Sequence, residues 1–335
     1  MGRMRGNMKN YLAVITVFAA LFIMVPCVTF LGGPPENVKT PEGNSSSSVS
    51  VDKLTFKILD EETGQVTEMS ERDFVIGAVC AEMPAEYHEE AIKAQAVAAH
   101  TYGMYQRGRE LKDPTPELKG AHLSNDSTKY QAFFTKEQAQ AFYGDKFEEY
   151  YAKIEKAVDE VLDKIIVYDD QPIAAAFHSM SGGKTEKASV VWGNDVPYLE
   201  PVESPADTTA PDFLSTATFT SEELKTRLTA VRAELTLPED KAKWFTGWER
   251  SDSGTVTKVT VGNETFTGLE LRAALGLRSA CFEVKNEGDT FTFTVKGYGH
   301  GVGLSQYGAN QMAQEGKTYD EILKYYYTGV DIVDA

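Results

Sequence analysis

One helix of this chain is defined by an apolar run that ends in a carboxylate and a proline. Residues 74–81 are apolar or glycine, and Glu82 and Pro84 follow them. Because a proline disfavours the α conformation at the residue before it, the helix has to end close to Glu82. Ser70, followed by acidic residues, is typical of a helix start. The pattern predicts a helix over 71–82 with Glu82 at its carboxyl end.

Glu82 is the main candidate for a catalytic residue. Val79, Ala78 and Val75 precede it by three, four and seven positions, so all three share its helix face, and all are apolar. Burial and the negative end of the helix dipole both disfavour the charged carboxylate and raise its pKa. A carboxylic acid that is neutral near pH 7 can protonate a leaving group. The alternative is a structural ion pair between Glu82 and a Lys or Arg.

The amino terminus predicts a membrane anchor. A basic segment over 1–10 precedes Tyr11–Leu31, which carries no charge and is long enough to cross a bilayer as a helix. We expect a cytoplasmic segment at 1–10, a transmembrane helix at 11–32, a flexible linker at 33–50 and a catalytic domain at 51–330. The charge asymmetry places that domain outside the cytoplasm, on a single-pass protein of the cell membrane. A cleaved signal peptide is the alternative.

Charge and cysteine content exclude several functions. The net charge is −17, and the basic residues near the amino terminus leave the remainder still more acidic. A nucleic-acid partner is therefore excluded, and an anionic lipid surface is disfavoured. Cys80 and Cys281 pair only if the fold brings them together, and we interpret them as buried free thiols. Nothing near Cys80 in the sequence would lower its pKa, so a cysteine nucleophile is disfavoured.

The order of predicted elements indicates an α+β fold. It consists of a mixed helical region followed by a mostly antiparallel β region, after the N-terminal transmembrane helix. The polar stretch 201–250 is interpreted as a partial insertion. Predicted helices cover 71–82, 85–107 (ended by Gly108), 135–164, 268–276, 305–314 and 319–326. Predicted strands cover 53–58, 65–69, 165–168, 173–178, 255–261, 282–284 and 290–295.

Two further motifs carry polar chemistry. The first alternates glycine with other residues over 297–303, around His300, and continues to Gln306. Glycines let the backbone approach another surface closely, and His300 can orient a ligand or carry a proton. A structural turn is the alternative, and the spacing is wrong for dinucleotide binding.

The second motif begins at His178 and continues, after a gap, through Trp192 to Tyr198. Both aromatic side chains suit stacking on sugar rings, although either suits a core equally well. A Ser-His hydrolase is disfavoured because the chain has no G-x-S-x-G elbow.

Together these segments resemble the stage II sporulation protein D family, over roughly 51–330. The matching segments are Ala81–Pro84, Lys93–Tyr102, His178–Gly183, Trp192–Leu199 and Gly299–Ala309. The resemblance implies a peptidoglycan lytic transglycosylase of sporulation engulfment, with Glu82 as the catalytic acid. It also implies glycan strands as substrate, a wall amidase and a membrane scaffold protein as partners, and no cofactor. Related members instead modify wall amidases. We expect substrate binding by His100, His178, Trp192, Tyr198, His300 and Gln306.

The chain departs from the family at two places. His100 stands where the family usually has Arg. On one continuous helix it would lie about 27 Å from Glu82, so contact needs a fold-back at Pro84. Lys129 and Tyr130 occupy the place of a zinc-binding His-Cys pair, so we predict no metal.

The sequence is compatible with three mechanisms. In the first, Glu82 protonates the glycosidic oxygen between muramic acid and glucosamine, and the muramic 6-hydroxyl then closes a 1,6-anhydro ring. In the second, the chain is a muramidase in which a second carboxylate such as Asp126 activates water. In the third, it is a non-catalytic glycan-binding activator of an amidase.

Overall fold

The computed structural model describes residues 55–335. The predicted basic segment, membrane anchor and linker, at 1–10, 11–32 and 33–50, lie outside this range. Within 55–335, no helix is both long enough and apolar enough to cross a bilayer.

The described residues form an α+β structure with mostly antiparallel sheets, which confirms that part of the predicted fold class. The helices are α1 Glu71–Glu82, α2 Glu89–Lys112, α3 Lys136–Tyr143, α4 Phe147–Asp159, α5 Ala188–Trp192, α6 Ser221–Val231, α7 Gly268–Leu275, α8 Gln306–Gln314 and α9 Tyr319–Tyr326. Short 3₁₀ turns lie at Pro116–Leu118, Gly144–Lys146, Pro205–Thr209 and Lys241–Lys243.

The strands form small sheets of two or three members. They are β1 Thr55–Leu59, β2 Val66–Ser70, β3 Leu123–Ser124, β4 Lys164–Tyr168, β5 Gln171–Pro172, β6 Phe177–His178, β7 Leu214–Thr220, β8 Phe245–Arg250, β9 Val256–Val261, β10 Glu264–Phe266, β11 Phe282–Glu287, β12 Thr290–Lys296, β13 Leu304–Ser305 and β14 Asp331–Asp334. The sheet orders are β2-β1-β3, β10-β9-β8, β11-β12-β7, β13-β6 and β14-β4-β5. Among these, β1–β3 and β13–β6 are parallel pairs.

Two hydrophobic cores organise these elements. The first packs α1, α2, α4, α8 and α9 around large buried side chains such as Phe74 and Tyr326. The second lies wholly within 214–296 and centres on Phe266 and Phe293. The chain therefore leaves the first core after Leu199 and returns to it at Val302. We call residues 214–296 the inserted unit; it extends well beyond the stretch 201–250 that we expected to be inserted.

Helix α1 has the predicted bounds and the predicted causes. The Ser70 hydroxyl caps its start by accepting a hydrogen bond of 3.1 Å from the Asp73 amide. At its end Met83 has φ −124° and ψ 135°, as Pro84 requires. Residues 74–80 are all buried, so the helix is fixed by packing as well as by its caps.

The second helix differs from the prediction at both ends. It runs over Glu89–Lys112 rather than 85–107, and His88 caps its start by accepting from the Glu90 amide. Gly108 is helical and does not end the helix. The helix ends at Lys112, and Asp113 is the residue that caps it. A glycine ends a helix when the backbone turns left-handed there, and the polar residues after Gly108 continue the helix instead.

The predicted strand 173–178 is wrong in extent. Asp169 and Asp170 have φ values of 50° and 57°, a two-residue hairpin turn that already places Gln171 and Pro172 in β5. Residues 173–176 then leave the ladder, and pairing resumes only at Phe177–His178. The strand Leu123–Ser124 lies outside every predicted element, because two residues carry no periodic pattern.

Candidate functional site

The Glu82 carboxylate lies at the carboxyl end of α1, where dense protein surrounds it and leaves it only partly exposed. Its Oε1 accepts a hydrogen bond of 2.9 Å from the Ala132 amide. Burial raises the pKa of Glu82 to about 7, and the hydrogen bond from Ala132 offsets part of that rise. Among residues 55–335, Oε2 has no hydrogen-bond partner. Glu82 therefore holds one oxygen fixed and one available, in a group that is half protonated near neutral pH.

The segment after Glu82 ties α1 to α8. The rings of Tyr87 and Tyr307 meet edge to face with centroids 6.4 Å apart, and the His88 amide donates to Asn310 Oδ1 at 2.8 Å. Tyr307 in turn donates its amide to the Ser179 carbonyl at 3.0 Å. These contacts bring the end of α1 towards the loop that begins at His178.

Residues 297–303, which we call the glycine strip, press against that loop. Gly299 has φ +116°, and a Cβ there would lie 2.7 Å from His178 Cβ. Gly303 has φ +72°, and a Cβ there would lie 2.1 Å from the Ala176 carbonyl oxygen. Both the backbone conformation and the close approach therefore require glycine, which supports the interpretation made from the alternating pattern.

His178 and His300 form a buried pair with ring centroids 5.7 Å apart. His178 Nδ1 lies 3.1 Å from the Val302 carbonyl, so Nδ1 carries the proton and donates. The Val302 amide donates to His300 Nδ1 at 3.0 Å, so His300 carries its proton on Nε2. Burial lowers the pKa of His178 to about 4, and burial and His178 lower the pKa of His300 well below its usual value. Both rings are neutral at pH 7.

With the proton on Nδ1, the Nε2 atom of His178 is a hydrogen-bond acceptor. His178 Nε2 is buried and has no hydrogen-bond partner within the described chain. A buried lone pair without a donor is costly, which makes it a candidate partner for a hydroxyl or amide proton of a ligand. The Trp192 ring stands beside this pair, with its centroid 5.2 Å from that of His300.

Tyr298 connects the glycine strip with Glu82. Burial raises the pKa of Tyr298, the positive charges of Arg278 and Arg272 oppose that rise, and the negative charge of Glu82 adds to it. Glu82 and Tyr298 are therefore electrostatic neighbours. The contacts of Tyr87 and His88 with α8, together with this charge interaction, link the end of α1 to the glycine strip.

Tyr198 and Gln306 are engaged within the protein. The Tyr198 hydroxyl accepts from the Ala174 amide at 3.0 Å, and its ring packs 5.6 Å from Tyr168. Gln306 is buried and donates from Nε2 to Gln95 Oε1 at 3.2 Å. Both side chains therefore hold neighbouring segments of the protein together. Direct contact of either one with a substrate stays a prediction.

His100 lies away from Glu82. It is 1% exposed, its Nδ1 donates to the Lys164 carbonyl at 3.1 Å, and its Nε2 contacts the Glu71 carboxylate. Glu71 begins α1 and Glu82 ends it, so about 16 Å of helix separate the two. The fold-back at Pro84 does occur, but it returns His100 to the opposite end of α1. His100 therefore supports the start of α1, and substrate binding by it stays a prediction.

A buried carboxylate that sequence reasoning missed underlies the loop at His178. Asp207 is fully buried and accepts hydrogen bonds from the Ser181 amide at 2.8 Å, the Ser181 hydroxyl at 2.6 Å and the Ser305 hydroxyl at 2.8 Å. It joins the His178 loop to the start of α8. Asp207 lies in a polar stretch with no periodic pattern, so the sequence carried no signal for it.

The remaining candidates have structural surroundings. Asp126 Oδ1 accepts from the Thr128 amide and hydroxyl, and Oδ2 pairs with Lys129 at 3.1 Å. Cys80 and Cys281 are both free, although Cys281 is only partly buried. Burial raises the pKa of Cys80 to about 12, which makes it a poor nucleophile. Over 55–335 no three His, Cys, Asp or Glu side chains are grouped as metal ligands.

Comparison with known proteins agrees with the resemblance seen in the sequence. The family model described as "SpoIID: Stage II sporulation protein" matches residues 60–168. Stage II sporulation protein D of Bacillus subtilis is 35% identical over 98% of this chain and 97% of its own length. That of Bacillus amyloliquefaciens is 40% identical over 78% of this chain and 74% of its own length. The Amidase enhancer of Bacillus subtilis is 27% identical over 76% of this chain and 40% of its own.

Proposed function

Because this chain belongs to the stage II sporulation protein D family, we propose that it is a lytic transglycosylase of peptidoglycan that acts in engulfment during sporulation. The observation that carries the proposal is Glu82, a carboxyl group with a pKa of about 7 and one unpartnered oxygen. A single group that is half protonated at neutral pH can serve first as acid and then as base.

The reaction cleaves the β-1,4 bond between N-acetylmuramic acid and N-acetylglucosamine. Neutral Glu82 donates its proton to the glycosidic oxygen, and the bond from that oxygen to the muramic anomeric carbon breaks as the ring flattens toward an oxocarbenium ion. The Glu82 carboxylate then accepts the proton of the muramic 6-hydroxyl, whose oxygen bonds to the same anomeric carbon. The products are a 1,6-anhydromuramic end and a free 4-hydroxyl on glucosamine. One carboxyl group suffices because the sugar supplies its own nucleophile.

The glycan is held beside the glycine strip. The bare Nε2 of His178 accepts a hydrogen bond from a sugar hydroxyl or acetamido N–H, and the Trp192 face stacks on a sugar ring. His300 fixes the backbone of the strip through its bond from the Val302 amide. The lowered pKa values keep both imidazoles neutral, so they add no positive charge that would favour ionised Glu82.

The setting follows from the same proposal. The chain acts outside the cytoplasm on a single-pass anchor at 11–32. A wall amidase supplies peptide-free strands, and a membrane scaffold protein gathers the two.

The test uses the full-length chain on peptide-free glycan strands, with products measured by mass spectrometry. Anhydro ends are expected from the natural protein, and Glu82→Gln is expected to lose at least 1,000-fold in rate, since no other group donates the proton. Glu86→Gln is the matched control, because Glu86 is exposed and four residues away. Anhydro products from Glu82→Gln at the natural rate would end the proposal. Products heavier by one water would assign a muramidase instead.

A second candidate function is activation of an amidase without catalysis. The relative named Amidase enhancer favours it. In that case the chain binds strands and stimulates a wall amidase, and new sugar ends do not form. Measuring amidase stimulation by Glu82→Gln separates the two functions, because an activator keeps its effect without the carboxyl group.

A further inference from the structure

Two arginines of the inserted unit stand at the glycine strip. Arg278 follows α7, and its guanidinium lies over the Tyr298 ring, 4.3 Å from the ring centroid. The Arg278 carbonyl accepts from the Gly299 amide at 3.0 Å, so the backbones are joined at the same point. One guanidinium edge donates to the Asp212 carbonyl at 3.2 Å. Arg278 is therefore held as a flat cationic surface on a residue that neighbours Glu82.

Arg272, the second arginine, lies in α7, and its charge acts on Tyr298. Its Nε donates to the Leu277 carbonyl at 3.3 Å, which folds the side chain back along the turn that leads to Arg278. Arg272 is only partly exposed. Burial is the main cause of the lowered pKa values of His178 and His300, and the positive charge of Arg272 lowers both further. At Tyr298 the same charge opposes the rise in pKa that burial causes. Arg272 is thus an electrostatic neighbour of all three residues.

A local cationic pair is unusual on this molecule. The chain carries 50 acidic against 33 basic residues, so its overall field repels anions. Many cations on the described surface pair with a neighbouring carboxylate, as Arg232 does with Glu270. Arg278 instead contacts an aromatic ring and a carbonyl. An anionic ligand group can therefore be held here and is disfavoured over most of the surface.

We propose that Arg272 and Arg278 form a subsite for the lactyl carboxylate of muramic acid, and that this subsite selects glycan strands whose stem peptides have been removed. The inference rests on the proposed function, since it assigns the specificity of that same site. In an intact strand the lactyl group is joined to the peptide through an amide and has no charge. After the peptide is removed, it is a free carboxylate, the planar partner that guanidinium forks bind best.

Binding, rather than turnover, tests the subsite. The full-length Glu82→Gln protein is titrated with peptide-free strands and with the same strands after their lactyl carboxylates are converted to neutral methylamides. We expect about tenfold tighter binding to the carboxylate strands, the usual effect of a charge-assisted hydrogen bond. The preference should shrink as salt rises. Equal affinity for the two strands would overturn the subsite, without any variant having to fold.

Variants locate the preference. Adding Arg272→Gln or Arg278→Gln should weaken binding of carboxylate strands about tenfold and leave methylamide strands unchanged. Arg227→Gln is the matched control, because Arg227 also lies over an aromatic ring of the inserted unit, Phe219, at 5.2 Å. An equal loss on both strands would assign the arginines to structure. Because Glu82→Gln already lacks the proposed acid, these results are independent of whether the chain cleaves glycan.

Discussion

The amide of Ala132 donates a hydrogen bond of 2.9 Å to Oε1 of Glu82. One donor fixes the orientation of the carboxyl group without fully stabilising its charge. A second donor, or a cation in direct contact with the carboxylate, would lower the pKa of Glu82. The balance of burial against one hydrogen bond keeps this pKa at about 7.

The proposed acid role predicts a falling rate at high pH. Protonated Glu82 is the active form, and its pKa is about 7. We expect kcat/KM for anhydro-product formation to be highest below pH 7 and to fall tenfold per pH unit above about 7.5, since kcat/KM reports the free enzyme. Product formation from peptide-free strands between pH 5 and 9 measures this. A rate that is still level at pH 9 would contradict the role of Glu82 as acid.

The same pKa predicts a pH-dependent gain in stability for Glu82→Gln. The folded pKa is raised above the unfolded value, so ionisation of Glu82 destabilises the fold as pH rises from about 4.5 through 7. Gln is neutral and keeps an acceptor for the Ala132 amide. We expect the variant to unfold with a free energy about 2 kcal/mol higher than the natural protein at pH 8, a value discounted for partial exposure, and nearly equal at pH 4.5.

Urea unfolding of the two proteins at pH 4.5, 6 and 8 measures the difference. Glu86→Gln, at an exposed position, should show no gain that grows over this range. A constant difference between Glu82→Gln and the natural protein would mean that the Glu82 carboxyl group is not buried as described.

Gly299 should tolerate no side chain. Gly299→Ala adds a Cβ that meets His178 Cβ at 2.7 Å, at φ +116°. We expect a loss of about 3 kcal/mol in the free energy of unfolding and at least a tenfold loss in kcat/KM, because His178 must move. Gly316→Ala is the control, since Gly316 also has a left-handed φ, of +92°, but a Cβ there meets nothing within 4 Å. Gly316→Ala should lower the free energy of unfolding by about 1 kcal/mol and leave kcat/KM unchanged. Equal losses in the two variants would contradict the close packing of Gly299 against His178.

His100 should prove structural. Glu71→Ala removes the carboxylate against His100 Nε2 and leaves a buried nitrogen without a partner. We expect a loss of about 2 kcal/mol in the free energy of unfolding, with kcat/KM on peptide-free strands unchanged. Chemical denaturation and product assays on one preparation measure both. A tenfold fall in kcat/KM at full folding would return His100 to the site.

Helix α1, its caps and the position of Glu82 could all be predicted from the amino-acid sequence. Those features depend on neighbours within a few residues: Ser70 caps, Pro84 stops, and the apolar face sets the direction of the carboxyl group. The alternating glycines, which include Gly299 and Gly303, likewise predicted a close approach of the backbone to another surface. The carboxyl end of α2 could not be predicted, because a glycine such as Gly108 occurs both within helices and at their ends.

The surroundings of Glu82, in contrast, depend on the three-dimensional packing of distant segments. Its hydrogen bond comes from Ala132, fifty residues away, and the strip that carries Tyr298 lies more than two hundred residues away. Asp207 joins the His178 loop to the start of α8, Arg278 stacks on Tyr298 from the inserted unit, and His100 contacts Glu71 at the opposite end of α1 from Glu82. Such contacts depend on packing between distant segments. Periodicity and capping describe neighbours along the chain, so they carry no information about which distant segments will meet.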